Sequence, residues 1–171
     1  MSVLRVGHRP GRDPRLTTHV ALAARAFGAR RMFLHPPDDR LAETIASVSR
    51  RWGGEFAVVP VDDWKSLVRS FPGAVVHLTM YGLALDSTLP RIARHEKVLL
   101  VVGGAKVPPE LYRRATYNVA VGHQPHSEVA AAAVTLERLL GLPRPVRPGE
   151  APQRIVPTAR GKRVAGTRSH R

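Results

Sequence analysis

Between Tyr117 and Leu139 a short apolar strand, YNVAV, runs into the polar loop GHQPHSE and then straight into an apolar helix. His123, Gln124, His126, Ser127 and Glu128 are thereby delivered together at a strand end, with Asn118 just before them. Asn118 is the sole Asn of the chain and Gln124 one of two Gln, in a sequence that also lacks Cys. Depletion of these residues is a habit of proteins from hot environments. Amides kept in one short segment therefore point to hydrogen-bonding work, with a satisfied structural turn as the alternative.

The chemistry on offer is recognition, since no residue set announces hydrolysis or phosphoryl transfer. GxxxxGK[ST], a GxGxxG following a strand, GxSxG and HExxH are all missing. His123 and His126 are spaced for two metal ligands, but no third partner is visible and no metal is expected. Three loops after apolar runs remain: Thr79-Met80-Tyr81-Gly82-Leu83, Gly103-Gly104-Ala105-Lys106-Val107 and Gly122-His123-Gln124-Pro125-His126-Ser127-Glu128. Open α/β sheets bind ligands at the carboxyl ends of their strands. Glycine there lets peptide groups approach a ligand unhindered by a Cβ, although Gly-Gly is also an ordinary turn. Apolar side chains mixed with backbone polar groups and one Lys suit an adenosine carrying little phosphate.

The elements that must position these loops follow from periodicity. Apolar runs at 3–6, 31–34, 56–61, 74–80, 97–102 and 117–121 alternate with helical patterns near 18–27, 38–51, 63–70, 86–94 and 127–140. The alternation predicts an α/β fold, with a mostly parallel sheet and helices on both faces. Asp38 opens one helix, and Gly28, Gly53 and Gly141 close others. Residues 1–142 read as one domain. From Pro143 the texture changes to a basic, Pro-rich extension over 143–171, in which QRIVP and KRVAG around Arg160-Gly161 predict a small hairpin with a frayed end.

At 171 residues the chain is long enough for a single core without disulfides. MSVLRVGHRP has no signal-peptide h-region and no apolar run approaches about 18 residues, so a soluble, cytoplasmic protein without a membrane partner is expected. The net charge of +14 is unevenly spread. Residues 144–171 hold eight Lys or Arg against Glu150 alone, and residues 1–31 hold seven Arg against Asp13 alone. One-signed ends around a balanced middle are the footprint of a polyphosphate partner, most simply a nucleic acid.

The segments GHRPGRDPRLTTHVALAARAFGA, HLTMYGL, VVGGAKVPPELY, YNVAVGHQPHSEVAAAAVTLERLL and IVPTARGKRV stand in one order across residues 3–165. Together they resemble the archaeal tRNA (cytidine-56) 2′-O-methyltransferase family of the SPOUT superfamily. The resemblance implies a deep C-terminal trefoil knot, S-adenosylmethionine as cofactor, a tRNA substrate and a homodimer. Carried over by motif, the cofactor contacts are Leu83, Gly103, Gly104, Ala105, Lys106, Val107, Val121, Gly122, His123, Gln124, Pro125, His126, Ser127 and Glu128. GGAKV replaces the more usual GAEKV, which removes a carboxylate at that loop.

The implied reaction moves a methyl group from sulfonium to a cytidine 2′-oxygen in the tRNA T-loop. Related knotted enzymes assign the hydroxyl's orientation to an arginine of their first motif. Here Arg25 is the natural candidate for that catalytic role, with Arg9 and Arg15 as rivals. Guanidinium is effectively always protonated, so clamping a neighbouring phosphate is an easier task for it than accepting a proton. Ser127 stands where it could cap the last helix, contact the cofactor or touch the nucleotide. Arg12, Arg160, Lys162 and Arg163 are placed for RNA, or at the hairpin for the partner subunit. The alternative from another class is a non-catalytic RNA-binding module on the same fold. An α/β nucleotide-binding enzyme with incidental basic ends is a third reading.

Overall fold

The computed structural model describes residues 1–12, 14–104, 106–142 and 149–166. In chain order the elements are β1 (Ser2–Val6), α1 (Pro14–Ala26), β2 (Arg31–His35), α2 (Asp39–Trp52), β3 (Ala57–Pro60), α3 (Trp64–Ser70), β4 (Ala74–Ala84), α4 (Leu85–Ile92), β5 (Val98–Val102), α5 (Pro109–Arg114), β6 (Tyr117–Ala120) and α6 (Glu128–Leu140). Six strands form one sheet in the order β3-β2-β1-β5-β4-β6, and every neighbouring pair is parallel. The expected α/β architecture is therefore present, and the strand order reverses between β1 and β5.

Alternation along the strands explains the layers. Val3, Met32, Leu34, Val76 and Leu100 face α1, α2, α4 and α6 in one apolar cluster. Leu4, Val6, Val75, Leu99 and Val101 face Trp64 and Val68 of α3 and Leu111 of α5 in a second. The central strand β5 is buried at all five positions, which accounts for its unbroken apolar run KVLLVV. Each fully buried aliphatic side chain contributes on the order of 1.5–3 kcal/mol, so the two clusters carry most of the fold's stability.

Asp38 caps α2 by accepting from the Leu41 amide at 2.9 Å, and Gly53 and Gly141 end α2 and α6 with positive φ. The short helix α5 is absent from the sequence expectation. Six residues opening on Pro109 are too few to show a 3.6-residue period. Strand β4 also runs four residues beyond the apolar pattern, to Ala84. The reason is an irregularity in its ladder: Leu78 and Leu83 both pair with Val119, so Thr79–Gly82 leave the sheet and return. A Cβ at Gly82 would overlap the backbone of Asn118 and Val119, so glycine is what lets the returning segment lie against β6.

Two further strands, β7 (Gln153–Ile155) and β8 (Val164–Gly166), pair antiparallel in a separate hairpin. Its loop is tightened by the Val156 amide donating to the Arg163 carbonyl at 2.9 Å. Residues 150–151 pack on Gly53 at the C-terminal end of α2. Because α2 leads back to the start of β3, the hairpin sits at the N-terminal edge of the sheet.

Candidate functional site

The Thr79–Gly82 excursion of β4 and the loops leaving β5 and β6 enclose a cavity of about 240 Å³ at the C-terminal edge of the sheet. Leu78, Val102, Val107, Val119, Val121 and Ala131 supply apolar wall, and Thr79, Tyr112, His126 and Glu128 supply polar groups. Gly103 and Gly104 present backbone to it. A Cβ on Gly103 would overlap the Val107 side chain, so this loop folds more tightly than a larger residue would permit.

Behind Gly103 lies Arg5, 2% exposed on β1. Its Nη1 donates to the Gly103 carbonyl at 2.5 Å and stands 4.0 Å from Glu128 Oε1. One guanidinium thus ties the ends of β1 and β5 to the start of α6. Its sequence signal was a lone Arg inside the apolar strand VLRV. A second set joins β4 to β6: His77 Nδ1 and Asn118 Oδ1 are 2.8 Å apart, and Asn118 Nδ2 donates to the Tyr112 carbonyl at 2.8 Å. Thr79 Oγ1 bonds the Tyr112 hydroxyl at 3.1 Å. The His77 pKa is held below the ordinary histidine value by burial, partly offset by the bond to Asn118. Asn118 is therefore a structural link as well as the chain's single Asn.

Of the residues carried over as cofactor contacts, Gly103, Gly104, Val107, Val121, His126 and Glu128 line the cavity. Gly122 and His123 line a smaller depression of about 140 Å³ with Ala84, Leu85, Val134 and Arg138. His123 Nδ1 donates to the Met80 carbonyl at 2.9 Å and so bridges the loop after β6 to the excursion within β4. Ser127 caps α6, its Oγ accepting from the Val129 amide at 3.2 Å. Leu83, Lys106, Gln124 and Pro125 are outward or rim residues that the cavity wall does not include. Ala105 lies outside the described residues. Thr79, Met80, Tyr81, Tyr112 and His77 belong to the wall without having been singled out as contacts, although all but Tyr112 sit in HLTMYGL.

The arginines divide by edge. The β1–α1 loop carries Arg9 and Arg12, and Arg15 lies in the first turn of α1, all at the cavity's end of the sheet. Gly7 of that loop faces the Gly104 amide. The loop is anchored by His8, whose Nε2 donates to Asp38 Oδ2 at 2.9 Å while its Nδ1 is hydrogen-bonded to the Thr17 hydroxyl at 2.8 Å. This pairing, with the Leu41 amide second, holds the Asp38 pKa below the ordinary carboxylate value. Arg25 is elsewhere. It occupies the last turn of α1, at the N-terminal edge, where it donates to the Gly53 carbonyl and to Ser49 Oγ at 3.3 Å. Arg160, Lys162 and Arg163 are exposed at the hairpin tip, at that same far edge. Among the described residues no group of three or more His, Asp or Glu is arranged to hold a metal, and no helix is long and apolar enough to cross a membrane.

This sheet order with a cavity at the ends of its last three strands has the fold of the SpoU methyltransferases. The crystal structure of the SpoU methyltransferase AviRb from Streptomyces viridochromogenes, in complex with the cofactor AdoMet, superposes with a TM-score of 0.59 at 18% identity. That likeness covers 82% of this chain and 56% of AviRb, so the chain spans little more than half of that protein. Sequence takes the assignment further. A family model described as tRNA ribose 2′-O-methyltransferase, aTrm56, matches residues 52–165. The tRNA (cytidine(56)-2′-O)-methyltransferase of Archaeoglobus fulgidus is 51% identical over 162 residues, 95% of this chain and 96% of that protein. Its namesake in Thermococcus kodakarensis is 49% identical, covering 96% of each. The chain belongs to the archaeal tRNA ribose 2′-O-methyltransferase family.

Proposed function

We propose that this protein transfers a methyl group from S-adenosylmethionine to the ribose 2′-oxygen of cytidine 56 in the T-loop of tRNA. The observation that carries this reading is the cavity at the ends of β4, β5 and β6, in a chain half identical over nearly its whole length to enzymes named for that activity. The residues present fit the cofactor. Apolar walls suit a purine, tight glycine loops bring peptide groups close, and the Glu128 carboxylate suits an ammonium. Bound there, S-adenosylmethionine supplies a methyl group already activated by its sulfonium.

The chain's own part is then position and electrostatics. Arg5 fixes the Gly103 loop and the start of α6, and His8 with Asp38 and Thr17 fixes the loop bearing Arg9 and Arg12. Arg9, Arg12 and Arg15 hold the phosphates beside the target ribose, each as a permanent cation. Arg25, spent on Gly53 and Ser49 at the other edge, is a stabilising residue of the fold and not the group that positions the hydroxyl.

The same reading includes a homodimer and a knotted backbone in a cytoplasmic enzyme. Leu83 and Val134 are exposed beside the smaller depression, which gives a second copy an apolar face. Light scattering tests the dimer. Incubation with methyl-labelled S-adenosylmethionine and an unmodified tRNA transcript, followed by nuclease mapping, tests the activity. A single methyl on that cytidine is expected, and tRNA binding without transfer would favour an RNA-binding module.

A further inference from the structure

One polar group in the cavity wall has no part in the chemistry above. His77, in the middle of β4, is 0% exposed and lines the cavity, and its Nε2 has no hydrogen-bond partner among the described residues. An unpaired buried ring nitrogen is a cost to the fold that an apolar residue of similar size would avoid. The ring is also held in place, since Tyr112 meets it edge-on at 4.7 Å between centroids and 88° between planes.

Its neighbours settle which nitrogen carries the proton. The Tyr112 carbonyl can only accept, so the Asn118 group 2.8 Å from it is the amide NH2. Asn118 therefore turns its carbonyl oxygen to His77 Nδ1, 2.8 Å away, and that oxygen also can only accept. Nδ1 bears the proton, and in the neutral ring Nε2 offers a lone pair. Burial depresses the histidine's pKa, which keeps the ring neutral.

A lone pair in this wall calls for a donor. Of the donors on S-adenosylmethionine, the ammonium is better matched by Glu128, and the ribose hydroxyls by peptide groups of the Gly103-Gly104 loop. The remaining donor is the adenine amino group, whose flat ring suits the walls made by Leu78, Val102, Val107 and Val119. The geometry points to His77 Nε2 as the acceptor of a hydrogen bond from the exocyclic amino group of adenine, which makes His77 the residue that selects a 6-amino over a 6-oxo purine. This rests on the cofactor reading above and adds to it the group that reads the base.

Calorimetric titration of S-adenosylhomocysteine and its 6-oxo congener, S-inosylhomocysteine, is the test. Wild type should bind the amino ligand about 10- to 100-fold more tightly, the range set by leaving a buried acceptor facing another acceptor. His77→Phe should weaken the amino ligand and, by removing the facing acceptor, tighten the oxo ligand, and so lose the preference. A second measurement needs no variant: the ¹⁵N shift of His77 Nε2 in the wild type should move toward its hydrogen-bonded range on adding the amino ligand, and not on adding the oxo ligand. Equal affinity of wild type for both ligands, a preference that survives in His77→Phe, or an unmoved Nε2 resonance under saturating amino ligand would overturn the assignment while leaving the cofactor site intact. Failure of wild type to bind either ligand would instead sink the cofactor reading and the inference with it.

Discussion

The Arg25 guanidinium spends its donors on the Gly53 carbonyl and Ser49 Oγ, and so closes the gap between the ends of α1 and α2. Removing it should cost about 1–2 kcal/mol of stability, the usual loss for charge-assisted bonds at a half-buried site. Arg25→Ala is thus expected to lower the denaturation midpoint, with S-adenosylhomocysteine affinity and turnover at saturating tRNA close to wild type. A large fall in turnover with stability unchanged would return the positioning role to Arg25. Arg15→Ala should do the reverse, leaving the fold intact and weakening use of tRNA. His77 gives a prediction in pH. Its native pKa lies below the unfolded value, so as pH falls through the ordinary histidine range the unfolded chain takes up a proton that the native ring refuses. Stability contributed by neutral His77 is full above that range and declines below it. Chemical denaturation across pH should show a wild-type decline that is shallower in His77→Phe; identical slopes would mean that the native ring titrates normally.

Among the elements, two glycines constrain the segments that build the cavity. A Cβ at Gly82 meets backbone of Asn118 and Val119, which cannot rotate away, whereas one at Gly103 meets the Val107 side chain. Gly82→Ala should therefore destabilise by several kcal/mol or abolish folding. Gly103→Ala should be milder and should be partly rescued by Val107→Ala, a positive coupling that a double-mutant cycle on stability and cofactor affinity would read. If the Val107 change brings no rescue, the Gly103 loop is constrained by something other than that side chain. These same segments show how far sequence carries. Strands such as VLLVV and helix α2 with its Asp38 cap were legible because burial and capping leave residue-type signatures. The Gly-rich loops were legible as strand-end loops. The return of β4 at Leu83, the helix α5 and the anchoring by Arg5 were not, because each depends on contacts between residues far apart in the chain. The surroundings of Arg25 were illegible for the same reason: its motif position says nothing of the edge at which α1 ends.

For the molecule as a whole, the candidate RNA-facing cations among the described residues do not form one patch. Arg9, Arg12 and Arg15 lie at the cavity's edge of the sheet, while Arg160, Lys162 and Arg163 project from a hairpin packed at the end of α2, on the opposite edge. Five-residue strands separate these edges by roughly 15–20 Å. A tRNA whose ribose enters the cavity can still meet the hairpin of the same subunit by following the molecule's flank, or that of a second subunit across an interface. On the proposed reading the hairpin cations would act on phosphate at a distance from the chemistry. Replacing Arg160, Lys162 and Arg163 together with Ala should then lower the slope of log affinity against log salt by about 2–3, while S-adenosylhomocysteine binding is unchanged. Neutralising Arg12 and Arg15 should lower it by a further increment of about 1–2, additive with the first because the two groups share no contact. An unchanged slope in the hairpin variant, accompanied by a shift from dimer to monomer in light scattering, would place those three cations against the partner subunit and leave the RNA-facing role to the cavity edge among the described residues.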